Sequence, residues 1–269
     1  MVKKLFKHEI LSYARIMPIV YVILITIAFA SRIIQIFESD TTVYNIISTF
    51  SFITYGISIV AAIVFNFIFV IVRFYKNMFS GEGYLTFTLP VTSAQHIVVK
   101  ALTAMLSEVC LWLAIALSFC VITFGDVFVE LVKLGVYISN SALSAMGMHA
   151  IMFALEIIFL IAVTSLTNIL LYYTFISIGQ LFKKNRILAS VGAYFVYYII
   201  TQIISTVVSI VASVLAANGA FSWVLEFVSK NPQATVHLCL IAPSVSLIGF
   251  AIICFVVIKS IITKKLNLE

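Results

Sequence analysis

Six stretches of this chain are each long and apolar enough to cross a lipid bilayer, and that limits the fold before any motif is considered. Their approximate limits are residues 16 to 37, 43 to 72, 101 to 124, 146 to 180, 187 to 216 and 236 to 258. A hydrocarbon core is roughly 30 Å thick, so a spanning helix needs about 20 mostly apolar residues. Lipid offers no hydrogen bonds to the backbone, so such runs must pair their own N–H and C=O groups, as helices do. Composition agrees: 63% hydrophobic and 10% charged residues, with a mean hydropathy of +1.20 over 269 residues, contrast with about 25% charged in soluble domains. The expected class is all-α, a polytopic membrane protein with six transmembrane helices in one domain, residues 1 to 269.

Basic residues set the expected orientation. Of the 16 Lys and Arg, all but Arg32, Lys133 and Lys230 fall at the termini, after the second and before the third run, or in the "KKNR" turn. The positive-inside rule makes these parts cytoplasmic, both chain ends included. The net charge of +6 is then mostly a topology signal, and no nucleic-acid partner is expected.

"AFAS", Ala28 to Ser31, has the small-residue spacing of a signal-peptide cleavage site. The preceding residues point elsewhere. Phe6, Ile10, Tyr13 and Met17 recur at helical spacing, while Lys4, Lys7, His8, Ser12 and Arg15 fall around the rest of the turn. Residues 1 to 15 therefore read as an interfacial amphipathic helix leading into the first span.

Two outer loops carry helical patterns. In "GDVFVELVKLGVYISN", Asp126, Glu130, Lys133 and Tyr137 share a face; in "FSWVLEFVSKNP", Ser222, Glu226 and Lys230 do, and Asn231-Pro232 ends the run. Both read as short amphipathic helices that either cap the spans or gate an exit.

Catalytic and metal motifs are missing. Cys110, Cys120, Cys239 and Cys254 lie inside apolar runs without ligand spacing and read as buried packing residues; His8, His96, His149 and His237 form no ligand pair. No phosphate loop and no nucleophile elbow occur. The chain is not expected to be an enzyme or to bind a metal.

Polar stripes interrupt two spans. Tyr44, Ser48, Ser51, Tyr55 and Ser58 line one helical face in the second; Tyr194, Tyr198, Gln202, Ser205, Ser209 and Ser213 line one in the fifth. Such faces either pack against other helices or line an amphipathic cavity, and a dimer seam could do both. Glu108 and Glu156 lie within spans three and four, with His149 on the face of Glu156. A carboxylate at membrane depth costs a few kcal/mol against lipid and so should face protein or water, either to hold helices together or to act on substrate.

Between spans two and three runs the longest polar interval on the basic side, Phe74 to Gln95. Arg73 and Lys76 precede Gly81, which could end the second helix. Thr92-x-x-Gln95 has capping-box spacing for the lead-in to the third. Leu85, Phe87 and Leu89 alternate with Thr86 and Thr88 in strand fashion.

The stretch "FYKNMFSGEGYLTFTLPVT", Phe74 to Thr92, with the interfacial lead-in, six spans and the helical insertion before the last, resembles the type-2 ATP-binding-cassette (ABC) permease family of bacterial exporters. The likeness covers the whole chain in architecture and is motif-like only over Phe74 to Thr92. It implies that this loop couples to a separate ATPase subunit, with Glu82, Gly83, Tyr84, Leu85, Thr86, Phe87 and Thr88 as the contact. It also implies a homodimer of this chain with two ATPase subunits in the bacterial plasma membrane. ATP and Mg would then be bound by the ATPase, with no cofactor in this chain. The weak helix propensity of Gly83, Thr86 and Thr88 departs from the family's coupling helix. Tyr and Ser set among Ile, Val and Phe would suit amphipathic peptides or toxins as substrates, with lipid, drug or glycan as alternatives. A stand-alone channel or transporter, for which no internal repeat is found in the sequence, and a non-transporting peptide-immunity or scaffold protein are the rival classes.

Overall fold

The computed structural model describes residues 2–37, 41–80, 83, 90–182 and 184–264. Among them are eight helices and no strand: α1 (Val2–Ile36), α2 (Thr42–Phe79), α3 (Ser93–Ile122), α4 (Asp126–Met146), α5 (Met148–Gly179), α6 (Arg186–Ala217), α7 (Ser222–Lys230) and α8 (Pro232–Lys264). All but α7 are long and apolar enough to cross a membrane. The fold is that of an all-helical, multi-pass membrane protein.

Burial differs from that of a soluble domain: the interior is mostly apolar but also holds polar groups, and the exterior is apolar. Ile, Val, Leu and Phe cover the outer surface of every long helix, whereas Asn66, His96, Lys100, Thr103, Ser107, Ser118, Thr167, Thr174 and Ser177 are buried. Apolar side chains lose nothing against acyl chains, while polar ones need hydrogen-bonding neighbours, so these polar positions turn inward.

Local sequence accounts for the helix boundaries. Thr41 caps α2, its hydroxyl accepting from the Tyr44 amide at 3.3 Å. Thr92 and Gln95 form the expected capping box at α3, the Gln95 amide donating to Thr92 Oγ1 at 3.4 Å and the Thr92 amide to Gln95 Oε1 at 3.1 Å. α2 ends at Phe79 with Ser80 as its cap, and the Gly83 amide donates to the Ser80 carbonyl at 2.7 Å. Glu82 and residues 84 to 88, where the coupling contact and the strand-like alternation were expected, lie outside the described residues.

From Val2 the lead-in continues without a break into the first apolar run as α1, with Pro18 inside the helix. At 35 residues α1 is about 52 Å long, so its basic first turns extend beyond a core of roughly 30 Å. The segment expected as a short helix in the first outer loop is instead a 21-residue helix, of which Val127–Ser144 has the length and composition to cross a membrane; its sparse charges, Glu130 and Lys133, leave an apolar run that the polar face had hidden. Finally, Cys110, Cys120 and Cys239 are exposed and only Cys254 is buried, because apolar residues of a membrane helix face outward. The second insertion is α7, as expected, with Asn231 as its cap and Pro232 opening α8.

The chain forms two compact units, dividing between Asn140 and Ser141 within α4. In the first, α1 packs on α2 and most extensively on α3. α1 and α2 are antiparallel: Glu9 meets Arg73, Tyr13 meets Phe69, and Ser31 meets Ser51. α1 and α3 run parallel, as the contacts of Glu9 with Lys100 and Tyr21 with Ser107 require. In the second unit α5 packs on α6 and most extensively on α8. α5 and α8 are parallel and keep one register, the hydroxyls of Thr167 and Thr174 donating to the carbonyls of Leu247 and Cys254, each 80 residues on. Each unit is thus a helical hairpin whose first helix also packs against a later parallel helix. This repeat of arrangement is absent from the sequence.

The α5–α6 turn is tight. Asn185 takes the left-handed conformation at φ 53° before α6. A Cβ at Gly179 would lie 1.8 Å from Ser190 Oγ and 2.6 Å from the Arg186 carbonyl oxygen, so only glycine fits without a shift.

Candidate functional site: a buried ionic cluster at the ends of the 80–92 segment

Three helices each contribute two residues four apart in sequence, hence on one helical face. α1 supplies Glu9 and Tyr13, the end of α2 supplies Arg73 and Asn77, and the start of α3 supplies His96 and Lys100. Arg73, Asn77 and Lys100 converge on the Glu9 carboxylate, and Tyr13 and His96 lie within reach of its charge. Arg73 donates from Nε and Nη2 to Oε2 at 2.9 and 2.8 Å. Asn77 Nδ2 donates to Oε1 at 3.2 Å, and Lys100 Nζ to the same oxygen at 2.5 Å. The Arg73 guanidinium carbon also lies 5.3 Å from the centroid of the Tyr13 ring.

The cluster is enclosed, with Glu9 4%, Lys100 5% and His96 0% exposed, so its charges interact in a low-dielectric setting. Burial alone would push the Glu9 carboxyl up. The charges and hydrogen bonds of Lys100, then Arg73, outweigh it and hold Glu9 below the usual carboxylate range. Burial, reinforced by Lys100, lowers the His96 imidazole, with Glu9 opposing. Arg73 and Asn77 lie in the last two turns of α2, and His96 and Lys100 in the first two of α3. One carboxylate on α1 therefore fastens both ends of the segment between them.

Further polar contacts of the first unit continue along α2. Ser107 Oγ donates to Asn66 Oδ1 at 2.7 Å, and Tyr21 to the Ser107 carbonyl at 3.2 Å. Tyr55 and Ser118 hydroxyls are 3.0 Å apart, beside an apolar cluster of Leu24, Ala28 and Ile122. Tyr44, Ser48, Ser51, Tyr55 and Ser58 are buried or half-buried on this same side. Of the α2 stripe, Tyr55 and the Ser51 carbonyl pack within the unit, against Ser118 and Ser31.

The α6 stripe is placed differently. Tyr194 packs on Phe175, with ring centroids 5.6 Å apart, and Tyr197 rather than Tyr198 extends that contact, 5.2 Å from Phe175. Tyr198, Gln202, Ser205 and Ser209 are exposed, and no residue of α6 is fully buried.

Of the two carboxylates expected at membrane depth, Glu108 is half-buried on α3. Glu156 and His149, both on α5, are joined through a residue that sequence reading had set aside: Glu156 Oε1 lies 2.7 Å from His237 Nδ1, and His237 Nε2 lies 3.2 Å from His149 Nδ1. No group of three or more His, Cys, Asp or Glu among the described residues is placed to hold a metal ion.

Sequence reading also missed Glu9, Arg73, Asn77 and Lys100 as a group. A usable signal existed on α1 alone: the single acid among Lys3, Lys4, Lys7 and Arg15 sits one turn before Tyr13 and two before Met17, on the buried face. No family model matches this chain, and neither does any curated protein or solved structure.

Proposed function

We propose that this chain is the membrane-spanning permease subunit of an ATP-driven ABC exporter of the bacterial plasma membrane, with ATP hydrolysed by a separate ATPase subunit. The observation that carries the reading is the Glu9 cluster. A loop that receives movement from a docked ATPase needs both its ends fixed to the helices it drives. Arg73 and Lys100 tie the flanks of the 80–92 segment to one carboxylate of α1, so force applied there reaches three helices together. The likeness of Phe74 to Thr92 to the coupling loop of type-2 permeases points the same way.

In this reading Glu82 to Thr88 seats in the ATPase, and nucleotide binding shifts the permease between two states by a difference in affinity for them. The charge distribution favours six spans with both chain ends cytoplasmic, leaving α4 outside. The exposed Tyr198, Gln202, Ser205 and Ser209, set among Ile and Val, supply a mixed apolar and hydrogen-bonding wall. Facing a second copy of the chain, it would suit an amphipathic peptide gathered in the membrane interface. Lipids, drugs and glycans are the alternative cargoes.

The test is Tyr84→Ala with Phe87→Ala. The double variant should insert normally yet associate about tenfold more weakly with the ATPase, the loss of roughly 1.4 kcal/mol of apolar anchoring. Unchanged copurification and unchanged stimulated ATP turnover would reject the coupling role. Amphipathic peptides should stimulate turnover of the reconstituted complex more than scrambled peptides of equal length.

A second reading, a stand-alone transporter, is favoured by the repeated three-helix arrangement of the two units, since such transporters are often built from repeats. It requires the purified chain alone to move solute in vesicles.

A further inference from the structure

The second unit contains a chain of titratable groups that the coupling reading does not use. Glu156, two turns into α5, accepts from His237 on α8 at 2.7 Å, and His237 meets His149, at the start of α5, at 3.2 Å. Phe153 is buried against the pair, its ring centroid 4.3 Å from that of His237. Among the described residues Glu156 Oε2 is buried without a hydrogen-bond partner, while the side chains of His237 and Glu156 are 21% and 22% exposed overall.

We propose that Glu156, His237 and His149 form a one-proton binding site, filled at His149 from the end of the unit where α5 and α8 begin. A proton is the ligand that needs no cavity, only an unbroken run of donors and acceptors, and the three side chains supply one. With no extra proton, His237 Nδ1–H donates to the Glu156 carboxylate and His149 Nδ1–H donates to His237 Nε2, leaving the His149 Nε2 lone pair as the acceptor at the end of the run.

A proton from water bonds to His149 Nε2. The His149 Nδ1–H proton then passes to His237 Nε2, and the hydrogen bond between the rings reverses direction. No hydrogen bond is lost, His149 ends as the other neutral tautomer, and the positive charge rests on His237 beside Glu156. The triad changes from net −1 to neutral, which matters at membrane depth, where an uncompensated charge is costly. Each ring nitrogen's role is set by what the other contacts, as the relay requires.

Among the described residues, neighbouring elements add little charge. α7 brings Glu226 and Lys230, exposed and paired with each other at 2.6 Å. The second half of α6, residues 202 to 217, carries no acidic or basic residue, and Arg186 and Tyr194 belong to its first half. α8 adds Cys239, and its Lys259 lies far along the helix from His237.

The test is nitrogen-15 NMR of the full chain, histidine-labelled and held in lipid nanodiscs, at about pH 8 and about pH 5. His149→Gln and His237→Gln assign the signals against those of His8 and His96. The expected result is that His149 exchanges its Nδ1–H tautomer for the Nε2–H tautomer on acidification while His237 becomes doubly protonated. Glu156→Gln, which keeps the shape and an acceptor but removes the charge, should lose this exchange over the same range. A His149 that holds one tautomer throughout, or protonates independently of His237, overturns the proposal. So does an unchanged tautomer exchange in Glu156→Gln. The wild-type spectra decide the question by themselves if that variant fails to insert.

Discussion

Glu9 and Lys100 form an ion pair across 91 residues of sequence, their Oε1 and Nζ atoms 2.5 Å apart and both side chains almost fully enclosed. The Arg73 guanidinium closes the other side of the same carboxylate. Three charges buried together tolerate loss of one member poorly, because the remaining groups keep the cost of dehydration without their compensation.

Glu9→Ala should therefore destabilise the first unit by about 3–5 kcal/mol, leaving two cations facing each other. Lys100→Met should cost less, since Arg73 still neutralises Glu9. Thermal unfolding in detergent or nanodiscs measures both. Equal, small losses would show that the cluster is hydrated and that its charges are not interdependent.

The cluster also predicts an acid limit. The folded state holds Glu9 below its ordinary carboxylate range, so its stabilising contribution is fully present above the unfolded value of about 4.3. It is lost as pH falls through the lower, folded value. The unfolding temperature of the wild type should fall below about pH 4 more steeply than that of Glu9→Gln, whose position 9 cannot titrate. Parallel pH curves for the two proteins would contradict this.

Gly179→Ala should be harmful and Gly192→Ala nearly neutral. The first Cβ would strike Ser190 Oγ and the Arg186 carbonyl, whereas the second meets nothing within 4 Å among the described residues. Overpacking of this kind costs about 1–3 kcal/mol. Adding Ser190→Gly to Gly179→Ala should recover only part of the loss, because the backbone carbonyl stays in place. Unfolding temperatures of the three variants provide the comparison.

Cysteines at the two polar stripes should behave differently. Ser205→Cys and Ser209→Cys, on the exposed face of α6, should crosslink between copies of the chain or be shielded by substrate if that face meets a second copy. Ser51→Cys, beside Ser31 within the first unit, should do neither. Non-reducing gels with a thiol-specific crosslinker test this, and crosslinking through Ser51 alone would exclude the α6 face as the seam.

Much of the architecture was legible because its causes are local. Apolar runs identify membrane helices through dehydration of the backbone. Thr92 and Gln95 foretell the start of α3 because a cap acts over three residues, and Ser222, Glu226 and Lys230 foretell α7 because they share one helical face. Even the length of α4 could have been read, had its polar stripe not outweighed the 18 residues that contain it.

The stripes mark where local information ends. Tyr55 and Tyr198 belong to equally regular polar faces, yet Tyr55 is buried against Ser118 and Tyr198 is exposed on the outside of α6. Helical period states which residues share a face, and not which neighbour that face meets. Glu9, Arg73 and Lys100 looked like scattered charges at the basic end of a membrane protein, and His237 like a lone histidine. The sequence by itself determined the medium, the helices and their caps, since those follow from hydrophobicity and hydrogen bonds a few residues apart. Only the tertiary structure decided which polar groups meet, because the pairs lie 64 to 91 residues apart, and their meeting depends on the parallel or antiparallel packing of whole helices.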